Sequence, residues 1–112
     1  MSQTIAIILR IDRARAPEFE RLFEAENLPN LRKHHAEGGI LSASLSRVEL
    51  GTEADQAKAG GYVNYIVVAK VKDMAAHTAH DADPAFEAFN AKADAFQPTE
   101  PSVWGGTTLV EV

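Results

Sequence analysis

The chain of 112 residues has no cysteine. Disulfides, thiolate nucleophiles and cysteine-based zinc sites are therefore excluded. It is short of positive charge. Eleven Lys and Arg stand against 16 Asp and Glu, a formal net charge of −5. No segment gathers the basic residues into a stripe that could neutralise phosphates, so nucleic acid is excluded as a partner. No apolar run approaches the roughly 20 residues of a membrane-spanning helix. The opening MSQTIAIILR has no basic leader before its apolar run and no small-residue cleavage site after it. A cytoplasmic protein with no membrane contact is expected. The glycine pairs at 38–39, 60–61 and 105–106 do not form a phosphate-cradling loop. The serines at 42, 44 and 46 lack the partners of a Ser–His–acid hydrolase.

What is present suits a single domain over residues 1–112. Hydrophobic residues make up 46% and charged residues 24%, ordinary for a globular protein. TIAIILRI (4–11) reads as a strand that is apolar on both faces. Residues 17–37 read as a helix. Pro17 suits its first turn, and Phe19, Leu22 and Phe23 form an apolar stripe. Pro29 should kink or interrupt this helix, and Gly38-Gly39 ends it. His34 and His35 stand in its last turn, where charge and solvation account for them. ILSASLSRVE (40–49) alternates, with Leu41, Ala43 and Leu45 on one face and the serines on the other. Residues 50–60 read as a polar hairpin connection. GYVNYIVVAKV (61–71) is the strongest strand. Val63, Tyr65 and Val67 share one face, Asn64, Ile66 and Val68 the other.

Asp73 can cap a short turn over 74–80. Asp83-Pro84 is a strong start for a helix through Phe96, with the spacing of Phe86, Phe89, Ala93 and Phe96 giving a continuous stripe. VWGGTTLVEV (103–112) is a last strand, bulged at Gly105-Gly106. The order β-α-β-β-α-β predicts an α+β, ferredoxin-like fold: a four-stranded antiparallel sheet with two helices on one face. The other sheet face is left bare although two strands carry apolar residues there. A homodimer with sheets packed face to face covers it.

The stretch HTAHDADPAFEAF (77–89) holds most of the chemistry. His77 and His80 share a helix face, and Asp81 or Asp83 could add an oxygen ligand. Asp83 is better used as a cap and no distant carboxylate is marked, so no metal site is assigned. His80 is a candidate general acid/base, able to take a proton from a phenol or an activated carbon at neutral pH. Its bland alternative is to end a short helix and pack on Phe86. Asn64, an amide in the middle of a strand, can orient a substrate oxygen or stabilise an oxyanion. It can equally pair with Ser42 or Ser44, or sit at the dimer seam. Tyr65, Trp104, Phe86 and His77 are candidate ligand-lining residues, with core packing the alternative for the aromatics.

The helical segment AAHTAHDADPAFEAF and the strand YVNYIVV, with the pattern His80, Asp83-Pro84, Phe86, resemble the antibiotic-biosynthesis-monooxygenase-like families of the dimeric α+β-barrel superfamily. The helix PEFERLFEA, the Gly-Gly turn and the VWGGTTLVEV ending extend the likeness over nearly the whole chain. The stress-responsive α/β-barrel branch, with its polyketide cyclases, is similar too, but His77-Thr78-Ala79-His80 lacks that branch's proline. The resemblance implies a small cavity between sheet and helices. It also implies monooxygenase chemistry, without metal or flavin, on an aromatic, quinol-type or polyketide-like molecule. His80 and Asn64 would be catalytic, and Tyr65, Trp104, Phe86 and His77 would hold the ligand. The alternatives are a non-catalytic small-molecule-binding or stress-response protein on the same scaffold, or a cyclase or isomerase.

Overall fold

The computed structural model describes residues 2–112. The elements follow the order β1 (Gln3–Asp12), α1 (Ala16–Leu22), α2 (Leu28–Ala36), β2 (Ile40–Arg47), α3 (Thr52–Gly60), β3 (Tyr62–Val71), α4 (Met74–Asp81), α5 (Pro84–Asp94) and β4 (Ser102–Thr107). The strands form one sheet in the order β2-β3-β1-β4, with every pairing antiparallel. This is the ferredoxin-like topology that the element order predicts.

Strand alternation assigns the faces. Ile5, Leu9 and Ile11 of β1 and Val63, Tyr65 and Val71 of β3 are buried on the helix side. Phe19, Phe23, Phe89 and Phe96 pack onto them. The Phe19 ring lies 5.0 Å from that of Tyr65, and Phe23 meets Phe89 edge-on at 5.6 Å. Burying each such side chain is worth about 1.5–3 kcal/mol, so these rings fix the helices on the sheet. The opposite face carries Ala6, Ile8, Ile66 and Val68, with Trp104 64% exposed at its edge.

Pro29 acts where the sequence places it. It has no N–H to offer the preceding turn. The helix absorbs this in a wide π-type turn over Phe23–Asn27, in which the Leu28 N–H bonds the Phe23 carbonyl. The following helix, α2, then starts with Pro29 in its first turn.

Four expectations need correction. Residues 52–60 are not an irregular connection but the helix α3, anchored by buried Ala57 and ended by Gly61 in the left-handed region. Alanine-rich TEADQAKAG has the helical propensity for this. The register of β2 shifts between Ile40 and Ser42, so Ile40 is the buried residue and Leu41 is 45% exposed. The last strand stops at Thr107, and its pairing with β1 runs without a bulge. His34 is buried rather than solvated. No helix among the described residues is long and apolar enough to cross a membrane.

Candidate active site

A cavity of about 320 Å³ lies between the sheet and the helices. Ile5, Ile7 and Val67 line it from the strands, and Phe23, Phe86 and Phe89 from the helices. Its polar lining comes from three places. Asn27 contributes from the π turn, His77, His80 and Asp81 from α4, and Asn90, Asp94 and Gln97 from α5 and the residues after it.

His80 is held by local chemistry. The Asp73 carboxylate accepts the Ala76 N–H at 2.8 Å and starts α4. Asp83 accepts the Ala85 N–H at 2.9 Å and starts α5. The other oxygen of Asp83 accepts from His34 Nε2 at 2.9 Å and Lys33 Nζ at 3.1 Å. One carboxylate thus ties α2 to the α4–α5 corner. The Ala85 N–H, then Lys33 and His34, hold its pKa down at about 2. The His34 ring stands 5.2 Å from that of His80, and the Phe86 ring lies 4.3 Å from it.

Within this frame Asp81 faces both helical histidines. Its Oδ1 lies 3.2 Å from His80 Nδ1 and its Oδ2 lies 3.2 Å from His77 Nε2. A carboxylate only accepts. In the neutral imidazole the proton therefore sits on Nδ1 of His80, and Nε2 presents its lone pair. That Nε2 is buried and has no protein partner. Burial pushes the His80 pKa below its ordinary value against the opposing pull of Asp81, and the nearby His34 and His77 push the same way as burial. The site therefore holds a neutral histidine, oriented by a carboxylate. Asn27 Oδ1 and Gln97 Oε1, on other elements lining the cavity, are likewise buried without partners. Among the described residues no three His, Asp or Glu side chains converge as a metal-ligand set.

The structure brings together His80, His77 and Phe86, and separates them from the other candidates. Asn64 projects from β3 to the far face of the sheet, where it lines a shallower depression of about 280 Å³ with Arg10 and Trp104. Only 3% of Asn64 is exposed, and its Oδ1 has no partner. A joint site of His80 with Asn64 and Trp104 within one subunit is thus corrected: the sheet stands between them. Pairing of the Asn64 side chain with Ser42 or Ser44 is not seen. Tyr65 faces the helices but does not line the cavity. Its hydroxyl donates to Glu20 Oε2 at 2.5 Å, and Arg47 donates to the same carboxylate at 2.6 and 2.7 Å. Burial, then Glu20, pushes the Tyr65 pKa up to about 12. This arrangement clips β2 and β3 to α1.

Asp81 as a histidine partner, and Asn27, are the contributions that sequence reasoning missed. Asn27 carried a signal. It falls on the stripe Phe19, Phe23, Leu31 of an otherwise apolar helix face, where a polar residue is out of place.

No family model matches the chain, and no curated protein does at a significant level. Solved structures share its fold. Rv0793 from Mycobacterium tuberculosis is 16% identical, with 99% of this chain and 98% of that one covered at a TM-score of 0.74. A protein from Caulobacter crescentus CB15, assigned as an antibiotic biosynthesis monooxygenase, is 22% identical, with 97% and 91% covered at 0.74. SnoaB, a cofactor-independent oxygenase from Streptomyces nogalater, is 16% identical, with 99% and 96% covered at 0.68. The chain has the ferredoxin-like fold of antibiotic-biosynthesis-monooxygenase structures.

Proposed function

We propose that this chain is a small oxygenase that needs no cofactor and acts on an aromatic, quinol-type or polyketide-like molecule bound in the cavity. The observation that carries this reading is His80, a residue of the cavity lining with Nδ1 on Asp81 and a buried Nε2 that has no protein partner. A neutral imidazole so placed takes a proton from a substrate hydroxyl or activated carbon. The resulting electron-rich anion gives an electron to dioxygen, the two radicals combine to a peroxide anion, the proton held by His80 converts this to a hydroperoxide, and removal of the remaining C–H proton with departure of hydroxide leaves a carbonyl. In net terms a CH₂ group and O₂ become C=O and H₂O. His80 thus carries two protons in turn, the first to the peroxide anion and the second from the C–H to the departing hydroxide. Phe86 and Phe89 wall the ligand, and His77 steadies Asp81. The fold shared with a cofactor-independent oxygenase supports the same reading.

A homodimer through the bare sheet face belongs to this proposal. Ile8, Ile66, Val68 and Trp104 form an apolar surface there, of the kind that marks an association site.

The test is oxygen uptake with dihydroxynaphthalene or anthrone as substrate, comparing the native chain with His80→Gln. Uptake that is abolished by the substitution supports the proposal. Uptake indistinguishable from the uncatalysed rate in both proteins refutes it. Ring closure or isomerisation without oxygen uptake points instead to a cyclase, for which the same base serves. Binding with no turnover of any kind points to a ligand-carrying protein. The second of these has its own support: the strands contribute only apolar side chains to the lining, and His77 and His80 share the one carboxylate of Asp81.

A further inference from the structure

The charges around the cavity carry an inference about what enters it. No Lys or Arg lines the cavity among the described residues, whereas Asp81 and Asp94 both do. Asp94 stands where the cavity meets an outer trough formed by residues 97–101 and Val103, so it lies on the approach. It makes no ion pair among the described residues, and neither of its neighbours there, Gln97 and Pro101, carries charge. Glu100 adds a further negative group to the trough. Three acceptor atoms of the lining residues are buried without a protein donor. His80 Nε2 presents a lone pair, and Asn27 Oδ1 and Gln97 Oε1 are acceptors without donors. Asn27 is only 4% exposed, and its oxygen has no partner in the protein.

A bound carboxylate or phosphate would find no Lys or Arg to pair with and would lie close to the carboxylates of Asp81 and Asp94, whose like charge repels it. A hydroxyl, by contrast, donates to the acceptors that the cavity offers. The cavity volume is at the small end of the roughly 300–1,000 Å³ of ligand pockets, which limits the apolar body to one or two rings.

We infer that the cavity selects an uncharged, hydroxylated ligand of one or two rings and rejects its carboxylated or phosphorylated counterparts, with Asp94 the residue that sets this selectivity at the entrance. The inference rests on the proposed function, because it takes the same cavity as the substrate site. It also implies that the ligand arrives free and not on a phosphate-bearing carrier.

Calorimetric titration of the full chain at neutral pH with naphthol and with hydroxynaphthoate tests it, since the two differ by one charged group. Naphthol should bind at least tenfold more tightly. Asp94→Asn should narrow that ratio, and Asp94→Lys should erase or invert it while circular dichroism shows the fold retained. Hydroxynaphthoate binding as tightly as naphthol to the native chain overturns the inference, as does failure of both to bind. An unchanged ratio in a folded Asp94→Lys chain overturns the role given to Asp94. Oxygen uptake separates this from the proposed function. Selective naphthol binding with no uptake of oxygen on dihydroxynaphthalene leaves the selectivity standing and removes the oxygenase. Uptake with no charge preference does the reverse.

Discussion

His80 gives one ring nitrogen to Asp81 and leaves the other without a protein partner: Nδ1 lies 3.2 Å from Asp81 Oδ1, and Nε2 is buried. The first prediction follows from this division. His80→Gln should lower the turnover rate about 10²–10⁴-fold, the usual worth of a positioned acid/base. Asp81→Asn should cost less, because the base survives without its orienting carboxylate. It should also move the acid limb of the rate profile to lower pH, because Asp81 is what raises the pKa of His80 against burial. An acid limb that stays in place would argue against this coupling.

Stability should depend on pH through the same residue. Burial lowers the folded-state pKa of His80 below its ordinary value of 6.5, so the unfolded chain binds the proton more readily. The native state carries no penalty from His80 above that value and loses stability as pH falls from it towards the folded pKa. Urea midpoints of the native chain should therefore drop on acidification through this window by more than those of His80→Gln. Parallel curves for the two proteins would refute the assignment.

Asn27 is held at a stability cost. Its buried Oδ1 has no partner in the protein, and an unsatisfied buried group costs about 1–3 kcal/mol. Asn27→Leu should raise stability in urea denaturation, up to about that amount, while weakening naphthol binding. A variant that gains stability and binds as before would show that Asn27 does not touch the ligand.

Tyr65 should behave as a structural residue. Its hydroxyl serves Glu20, which also holds Arg47. Tyr65→Phe should destabilise the chain by about 1.5–3 kcal/mol, the worth of a hydrogen bond to a charged group, and leave KM unchanged. A raised KM with unaltered stability would return Tyr65 to the ligand site.

Trp104→Glu should convert the proposed dimer to monomer, because it buries a charge against an apolar sheet face. Sedimentation at micromolar concentration reads the change. A native chain already monomeric there would remove the dimer.

Much of the fold was legible in the residue pattern. The two-residue alternation of YVNYIVVAKV and the Asp-Pro start at 83–84 each have one economical reading, and the structure contains both elements. Pro29 forecast an interruption because a missing N–H has to be accommodated somewhere. The helix 52–60 was not legible, because its alanines and polar residues suit a connection as readily as a helix. The site was only partly legible. His77, His80 and Phe86 fall within one short segment, so local geometry was enough to bring them together. Asn64 and Trp104 lie on other elements, and their relation to His80 depended on strand register and on which face the helices cover.

The sequence alone determined what is local or periodic. It set the faces of β1 and β3, the caps that start α4 and α5, the position of the proline defect, the absence of thiol chemistry and the shortage of cations. These depend on backbone sterics and burial of apolar stripes within each segment, which act over a few residues. Only the tertiary structure decided that Asp81 orients His80, that Asp83 reaches across to a buried His34, and that Asn64 lies behind the sheet from the cavity. Those relations require residues from separate elements, or rotamers set by packing, to meet within about 3 Å, the range of a hydrogen bond. No pattern along the chain encodes such a meeting before the elements have packed.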